Sequence, residues 1–361
     1  MIKAGPGVEV RFSAAVEAAV LSAGRTEDLK FSPSNRLLAI AAFDRNSCLV
    51  LRVNIEASAD GIVVTATDLA EVRSKALRDP HGLDFIDDQT LVVASRGGGL
   101  SILQLPDGEF SGRVCPAEPL WQFPGGRFRW MRSPGSVAVH HEGDGLVSLL
   151  TCNNYSHRVT RHLVDRTPDY RLVQKEVFLR RGLIIPDGIA LSHDGRWIAV
   201  SSHGTHDVKL YSASDPLSPE TEPAGTLTGA GYPHGLQFSA DDAYLLVADA
   251  GSQVVNVYAR GPNWGGERGP MHSVEVIDDE AFARGRRNIE EGGPKGLALD
   301  QAGVLVAVTC EEQPLALYGL RAMTGLDQAS DPVMESRPPQ AGDGTPLARH
   351  ETASSCRREG G

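Results

Sequence analysis

Glu27, His81, Gly135, Asp187, His234 and Lys295 hold equivalent places in the openings of six similar segments. Five of the six openings read Pro-x-Gly or Pro-Gly, and all but Gly135 put an ionisable side chain at x. Carboxylate with imidazole is a ligand set for Zn²⁺, Mn²⁺ or Fe²⁺, and carboxylate with water suits Ca²⁺. Glu27, Asp187 and His234 could therefore hold one divalent metal (Ca, Zn or Mn) with positions left for water and substrate. His81 could be a fourth ligand or a general base, so His81 and Asp187 are the expected catalytic residues. A bound divalent ion acidifies its water and polarises a carbonyl, the two demands of ester or lactone hydrolysis. The plainer reading of any one His is a hydrogen-bonded rim residue, and His203 and His206 are read that way.

These residues work together only if the chain brings them to one place. The stretch from Ile185 to Tyr211, IPDGIALSHDGRWIAVSSHGTHDVKLY, aligns without a gap with Tyr232 to Tyr258, YPHGLQFSADDAYLLVADAGSQVVNVY. Each copy has an apolar strand, an acidic turn, a second apolar strand, a polar corner and a third strand ending in Tyr. The other units open at Glu27, Pro80, Pro134 and Pro294. Successive x residues lie 54, 54, 52, 47 and 61 positions apart, which suits four short strands and their turns. One such sheet cannot bury both faces alone, so the units must stack. The expectation is an all-β, six-bladed propeller with the x residues ringing one axial mouth. A seven-bladed ring, with a blade hidden in the irregular stretch from Pro106 to Arg132, and two packed sandwiches are the alternatives. The N-terminal segment 8–20 is read as the strand that closes the ring, and Asp278 to Gly285 as a short helix. Residues 1–320 form the propeller. Residues 321–361 lack apolar periodicity and are read as a mostly disordered tail.

The charge of −11 argues against a nucleic-acid or anionic-membrane partner. No apolar run approaches a membrane span. The start of the chain lacks a signal-peptide layout, and five widely spaced cysteines fit a reduced, cytoplasmic setting. Despite the acidic total, the loops leading to the mouth carry Arg25, Arg73, Lys75, Arg78, Arg127, Arg129, Arg132, Arg180, Arg181, Arg284, Arg286 and Arg287. Arg129, Arg132 and Lys295 are the expected substrate-binding residues, since guanidinium forks suit carboxylate or phosphate. The ligand expected is a small anionic molecule, and a protein partner could use the same face. No G-x-S-x-G elbow, Walker A, G-x-G-x-x-G or H-E-x-x-H motif occurs, and Gly97 to Gly99 reads as a strand corner.

The repeats quoted above resemble bacterial YVTN-type and lactonase-type propeller repeats over most of residues 25–320. The Pro-x-Gly openings also resemble the SMP-30/gluconolactonase family, six-bladed propellers that hydrolyse sugar lactones with an axial divalent metal. The resemblance implies ligands at the x positions of the first, fourth and fifth blades: Glu27 matches the family's Glu, Asp187 stands for its Asn, and His234 for its Asp. Gly135 stands where the family has a substrate-binding Asn. The expected function is a metal-assisted, lactonase-like hydrolase of a small anionic sugar lactone or ester. The competing readings are a non-catalytic propeller that binds a small anion or a protein, and a propeller lyase or isomerase of the streptogramin-lyase kind.

Overall fold

Alternating apolar residues and frequent turns fold here into six small sheets. The computed structural model describes residues 1–126 and 130–326. Each blade starts at the axis with the strand that carries an x residue: Thr26–Phe31, Pro80–Asp87, Pro134–Gly143, Pro186–Leu191, Pro233–Phe238 and Pro294–Leu299. Two further antiparallel strands follow in each blade, and an outer strand completes the sheet. The six-bladed, all-β expectation holds. The stretch left open for a seventh blade instead supplies two outer strands. Val114–Pro116 runs parallel to Gly61–Arg73 of the first blade, and Pro119–Pro124 completes the second.

The N-terminus departs from expectation. Segment 8–20 does not close the ring: Val8–Phe12 pairs in parallel with the first blade's outer strand, and Ala14–Leu21 is a helix. Ser13 caps that helix, its hydroxyl accepting from Val16 N–H at 3.3 Å. Val16 and Val20 are buried on one side of it, a 3.6-residue period that overrides the partial alternation. The strand that joins the sixth blade is Lys3–Ala4, parallel to Ala316–Gly319. The expected helix near Asp278 forms as Asp279–Gly285, with Asp278 as its cap. Past Gly319 the helix Leu320–Thr324 packs Leu320 and Met323 into the core between the fifth and sixth blades. The rest of the expected tail, 327–361, lies outside the described residues. Among the described residues no helix is long and apolar enough to cross a membrane.

Apolar cores lie between neighbouring blades, and Trp264 and Tyr258 are wholly buried between the fourth and fifth. The glycine of the repeated opening has a steric cause. A Cβ at Gly82 would lie 2.4 Å from Ser136 Cα, one at Gly188 2.1 Å from His234 O, and one at Gly235 2.5 Å from Lys295 O. In each case the obstacle is the backbone of the next blade's inner strand, so the glycine is what lets the blades close up around the axis. All six inner strands also shift register immediately after the opening residue. Such a bulge re-aims a side chain, and here it accompanies the turning of x toward the axis.

Candidate functional site at the axial mouth

The bulges bring Glu27, His81, Asp187 and His234 to the axis, where all four side chains are buried. His81 Nε2 lies 3.3 Å from Glu27 Oε2. His234 Nε2 lies 3.6 Å from the same oxygen and 3.1 Å from Asp187 Oδ2. The rings of His81 and His234 stack with centroids 5.2 Å apart.

A second ring of side chains reaches the axis from the corner between the second and third strands of each blade. The residue just past the end of each second strand is Phe43, Arg96, Asn154, His203, Ala250 or Glu311. Three of these place polar atoms against the cluster. Asn154 Nδ2 donates to Asp187 Oδ1 at 2.7 Å, and Arg96 Nη2 reaches the same oxygen at 3.2 Å. His203 Nε2 stands 3.8 Å from Asp187 Oδ2, so His203 belongs to the axial cluster and is not a rim residue. His206, by contrast, is exposed and bonds Gly231 O through Nδ1 at 2.6 Å. Glu311 joins the Lys295 cluster described next. The available signal was positional, one residue beyond each second apolar run, but the loops vary too much in composition to advertise it.

Lys295 was expected to meet substrate. The structure buries it completely, with Nζ 3.2 Å from Glu27 Oε1, 2.6 Å from Glu291 Oε2 and 3.0 Å from Glu311 Oε1. Its charge is consumed internally. Arg25 joins this group through Glu27 and Glu311. Arg132 is half-buried, its backbone N–H donates to Asn153 Oδ1 at 3.1 Å, and its charge faces Arg158. Arg127, Phe128 and Arg129 lie outside the described residues. Other loop arginines are paired: Arg73 with Glu71, Arg180 and Arg181 with Glu220, and Arg287 with Asp44 and Glu311. Arg96, whose side chain is 23% exposed, is a cation left partly open at the axis.

The electrostatics follow from burial and charge. Burial alone would raise the Glu27 carboxyl, but the Lys295 ammonium foremost holds it below the ordinary carboxylate range. Asp187 is likewise held well below that range against burial by the groups around it, His234 foremost. Burial, helped by Arg96, pushes His81 down to about 3, and burial pushes His203 down to about 3. Both imidazoles are thus neutral near pH 7, the state in which a ring nitrogen can offer a lone pair.

Four buried atoms here have no hydrogen-bond partner among the described residues: Glu27 Oε2, Asn154 Oδ1, Asp187 Oδ2 and His203 Nε2. An unsatisfied buried polar group costs about 1–3 kcal/mol and more if charged. Glu27, His81 and His234, and separately Asp187, His203 and His234, offer ligand atoms close enough to share one cation.

The family described as "Lactonase, 7-bladed beta-propeller" matches residues 184–276. That span is the fourth and fifth blades and contains Asp187, His203 and His234. The chain is similar in structure to luciferin-regenerating enzyme, with a TM-score of 0.51 and 12% identity over 80% of this chain and 86% of that one. A protein of unknown function from Desulfotomaculum acetoxidans gives a TM-score of 0.49 and 13% identity over 82% of each chain. No curated protein matches the chain. The likeness to luciferin-regenerating enzyme is one of fold and nothing finer.

Proposed function

We propose that this protein is a metal-assisted hydrolase of a small anionic lactone or ester, working at the axial mouth. The observation that carries this reading is the convergence around His234 Nε2 of buried Glu27 Oε2, Asp187 Oδ2 and His203 Nε2, none of which has a hydrogen-bond partner among the described residues. Mixed carboxylate and imidazole donors fit Zn²⁺ or Mn²⁺ better than Ca²⁺, which prefers oxygen alone. Glu27, Asp187 and His234 would hold the ion. When bound, it would polarise the acyl carbonyl and acidify a water.

The chain's own residues supply the remaining steps. Arg96 is the cation that takes the substrate's carboxylate or phosphate, as its planar fork allows. In the free protein its Nη2 lies 2.6 Å from His81 Nε2. Turning to the substrate releases that lone pair, and His81 then accepts a proton from the attacking water. The water oxygen bonds the acyl carbon, the acyl C–O bond breaks, and the proton passes to the departing alkoxide. One water is consumed and a hydroxy acid, or an acid and an alcohol, results. The lactonase match over residues 184–276 supports the same class.

The cavity among Glu27, His81, Asp187 and His234 is only ≈ 10 Å³, about the room for one water or ion, so the substrate would sit above it. This size also favours a second reading, a non-catalytic propeller that binds a small anion at Arg96. Assay of lactones and phosphorylated sugar esters separates the two. The hydrolase reading expects turnover that is lost on chelation, restored by metal, and reduced about 10²-fold or more in Asp187→Asn with the fold intact. Turnover indifferent to chelator refutes it. No turnover, with salt-sensitive anion binding lost in Arg96→Ala, supports the second reading.

A further inference from the structure

The two ligand triads around His234 are not equivalent. In the set of Glu27, His81 and His234, the His81 lone pair is already engaged. Arg96 Nη2 lies 2.6 Å from His81 Nε2, and because a guanidinium only donates, the ring nitrogen must be accepting. In the set of Asp187, His203 and His234, neither the inward-facing Asp187 Oδ2 nor His203 Nε2 has a hydrogen-bond partner among the described residues, and both atoms are buried. His203 Nε2 and His234 Nε2 stand 3.8 Å and 3.1 Å from that oxygen. Ligand atoms around a cation at about 2.1 Å lie about 3.0 Å apart in octahedral and about 3.4 Å in tetrahedral geometry, so this spacing needs only small adjustment.

The outer contacts agree. Asn154 and Arg96 both hold Asp187 Oδ1, which leaves Oδ2 turned inward. Fixing one carboxylate oxygen so that the other is presented is how surrounding groups orient a ligand. Gly135 is part of the arrangement: a Cβ there would lie 2.6 Å from Asp187 Oδ1 and 3.1 Å from Asn154 Oδ1. The ring of His203 is held in turn against Tyr232, with centroids 3.9 Å apart.

We infer that His203, and not His81, is a protein ligand of the divalent cation, sharing it with Asp187 and His234, while His81 stays outside the coordination shell, capped by Arg96. The inference rests on the metal reading above and refines it. It also separates two tasks that the sequence alone could not: His203 binds the ion, and the Arg96–His81 pair faces the substrate.

The test is Zn²⁺ and Mn²⁺ affinity of the full chain, measured by competition with a chelating dye. His203→Ala should lose affinity about 100-fold or more, beyond most outer-contact effects, whereas His81→Ala should change it less than about tenfold. Equal losses, or a larger loss in His81→Ala, overturn the inference. Urea unfolding in EDTA checks that His203→Ala is folded. A second readout does not depend on that variant: the visible spectrum of Co²⁺-loaded wild type and Co²⁺-loaded His81→Ala should superimpose. A changed band position or intensity would place His81 on the metal and overturn the inference. Wild type that binds none of these ions overturns the metal reading itself, and this refinement with it.

Discussion

Replacing Lys295 by Met tests whether the axial network is an integral ion cluster or a loose set of surface charges. The ammonium is 0% exposed and touches three carboxylates, Glu27, Glu291 and Glu311. Met keeps most of the volume and removes the charge. Arg25 still serves Glu27 and Glu311, whereas Glu291 has no other ion pair among the described residues. Removing one partner of a buried pair typically costs about 3–5 kcal/mol. The protonation of Glu291 gives a comparable figure. Burial would raise this carboxyl, but Lys295 foremost, with His234, draws it from its ordinary 4.5 to about 2. A lowering of that size is worth about 3 kcal/mol by linkage. The sign follows from the direction of the shift. A carboxyl whose folded value is depressed stabilises the protein fully above its unfolded value near 4.5, and that contribution fades as pH falls toward 2. The assay is urea unfolding of metal-stripped wild type and Lys295→Met at pH 7, 5 and 3.5. The expected gap is about 3–5 kcal/mol at pH 7 and narrows on acidification, because protonated carboxyls no longer need the ammonium. Equal stability at pH 7, or a gap that widens toward low pH, would refute the reasoning.

Other substitutions probe different parts of the account. Gly135→Ala puts a methyl 2.6 Å from Asp187 Oδ1 and 2.9 Å from Asp187 O; it should cost about 1–3 kcal/mol of stability and weaken metal binding without removing any ligand, and unchanged values in both assays would contradict the packing argument. His193 Nδ1 pairs with Asp242 Oδ1 at 3.1 Å, and that bond raises the imidazole above 6.5. Its contribution is therefore full below pH 6.5 and lost as pH rises through the higher folded value. Because the pair is partly exposed, His193→Gln should remove less than about 1 kcal/mol of stability at pH 6 and almost none at pH 9, and a pH-independent difference in unfolding would count against the pairing.

The fold was legible because its determinants are local and repeated. Each Pro-x-Gly opening encodes an inner strand whose glycine must clear the neighbouring backbone, and Gly82, Gly188 and Gly235 show that requirement directly. Convergence of Glu27, His81, Asp187 and His234 followed from the same repeat. The second ring did not, because Arg96, Asn154, His203 and Glu311 share a place in the fold and no residue type. Lys295 carried the opposite problem. Its position was correctly read as axial, but the neutralising Glu291 and Glu311 lie in loops whose approach depends on tertiary packing. Segment 8–20 misled because VEVRF does form a strand, and only the capping Ser13 and the Val16–Val20 spacing announce the helix that follows.

The central claim is that the axial cluster binds a divalent ion. The most direct measurement is elemental analysis of protein purified without chelator or metal-affinity tag, wild type beside Glu27→Gln and His234→Ala. The account predicts about one ion per chain in the wild type and loss of it in both variants. Wild-type protein that holds no ion, even after exposure to Zn²⁺, Mn²⁺ and Ca²⁺, would contradict it and leave the axial mouth as a ligand-binding surface.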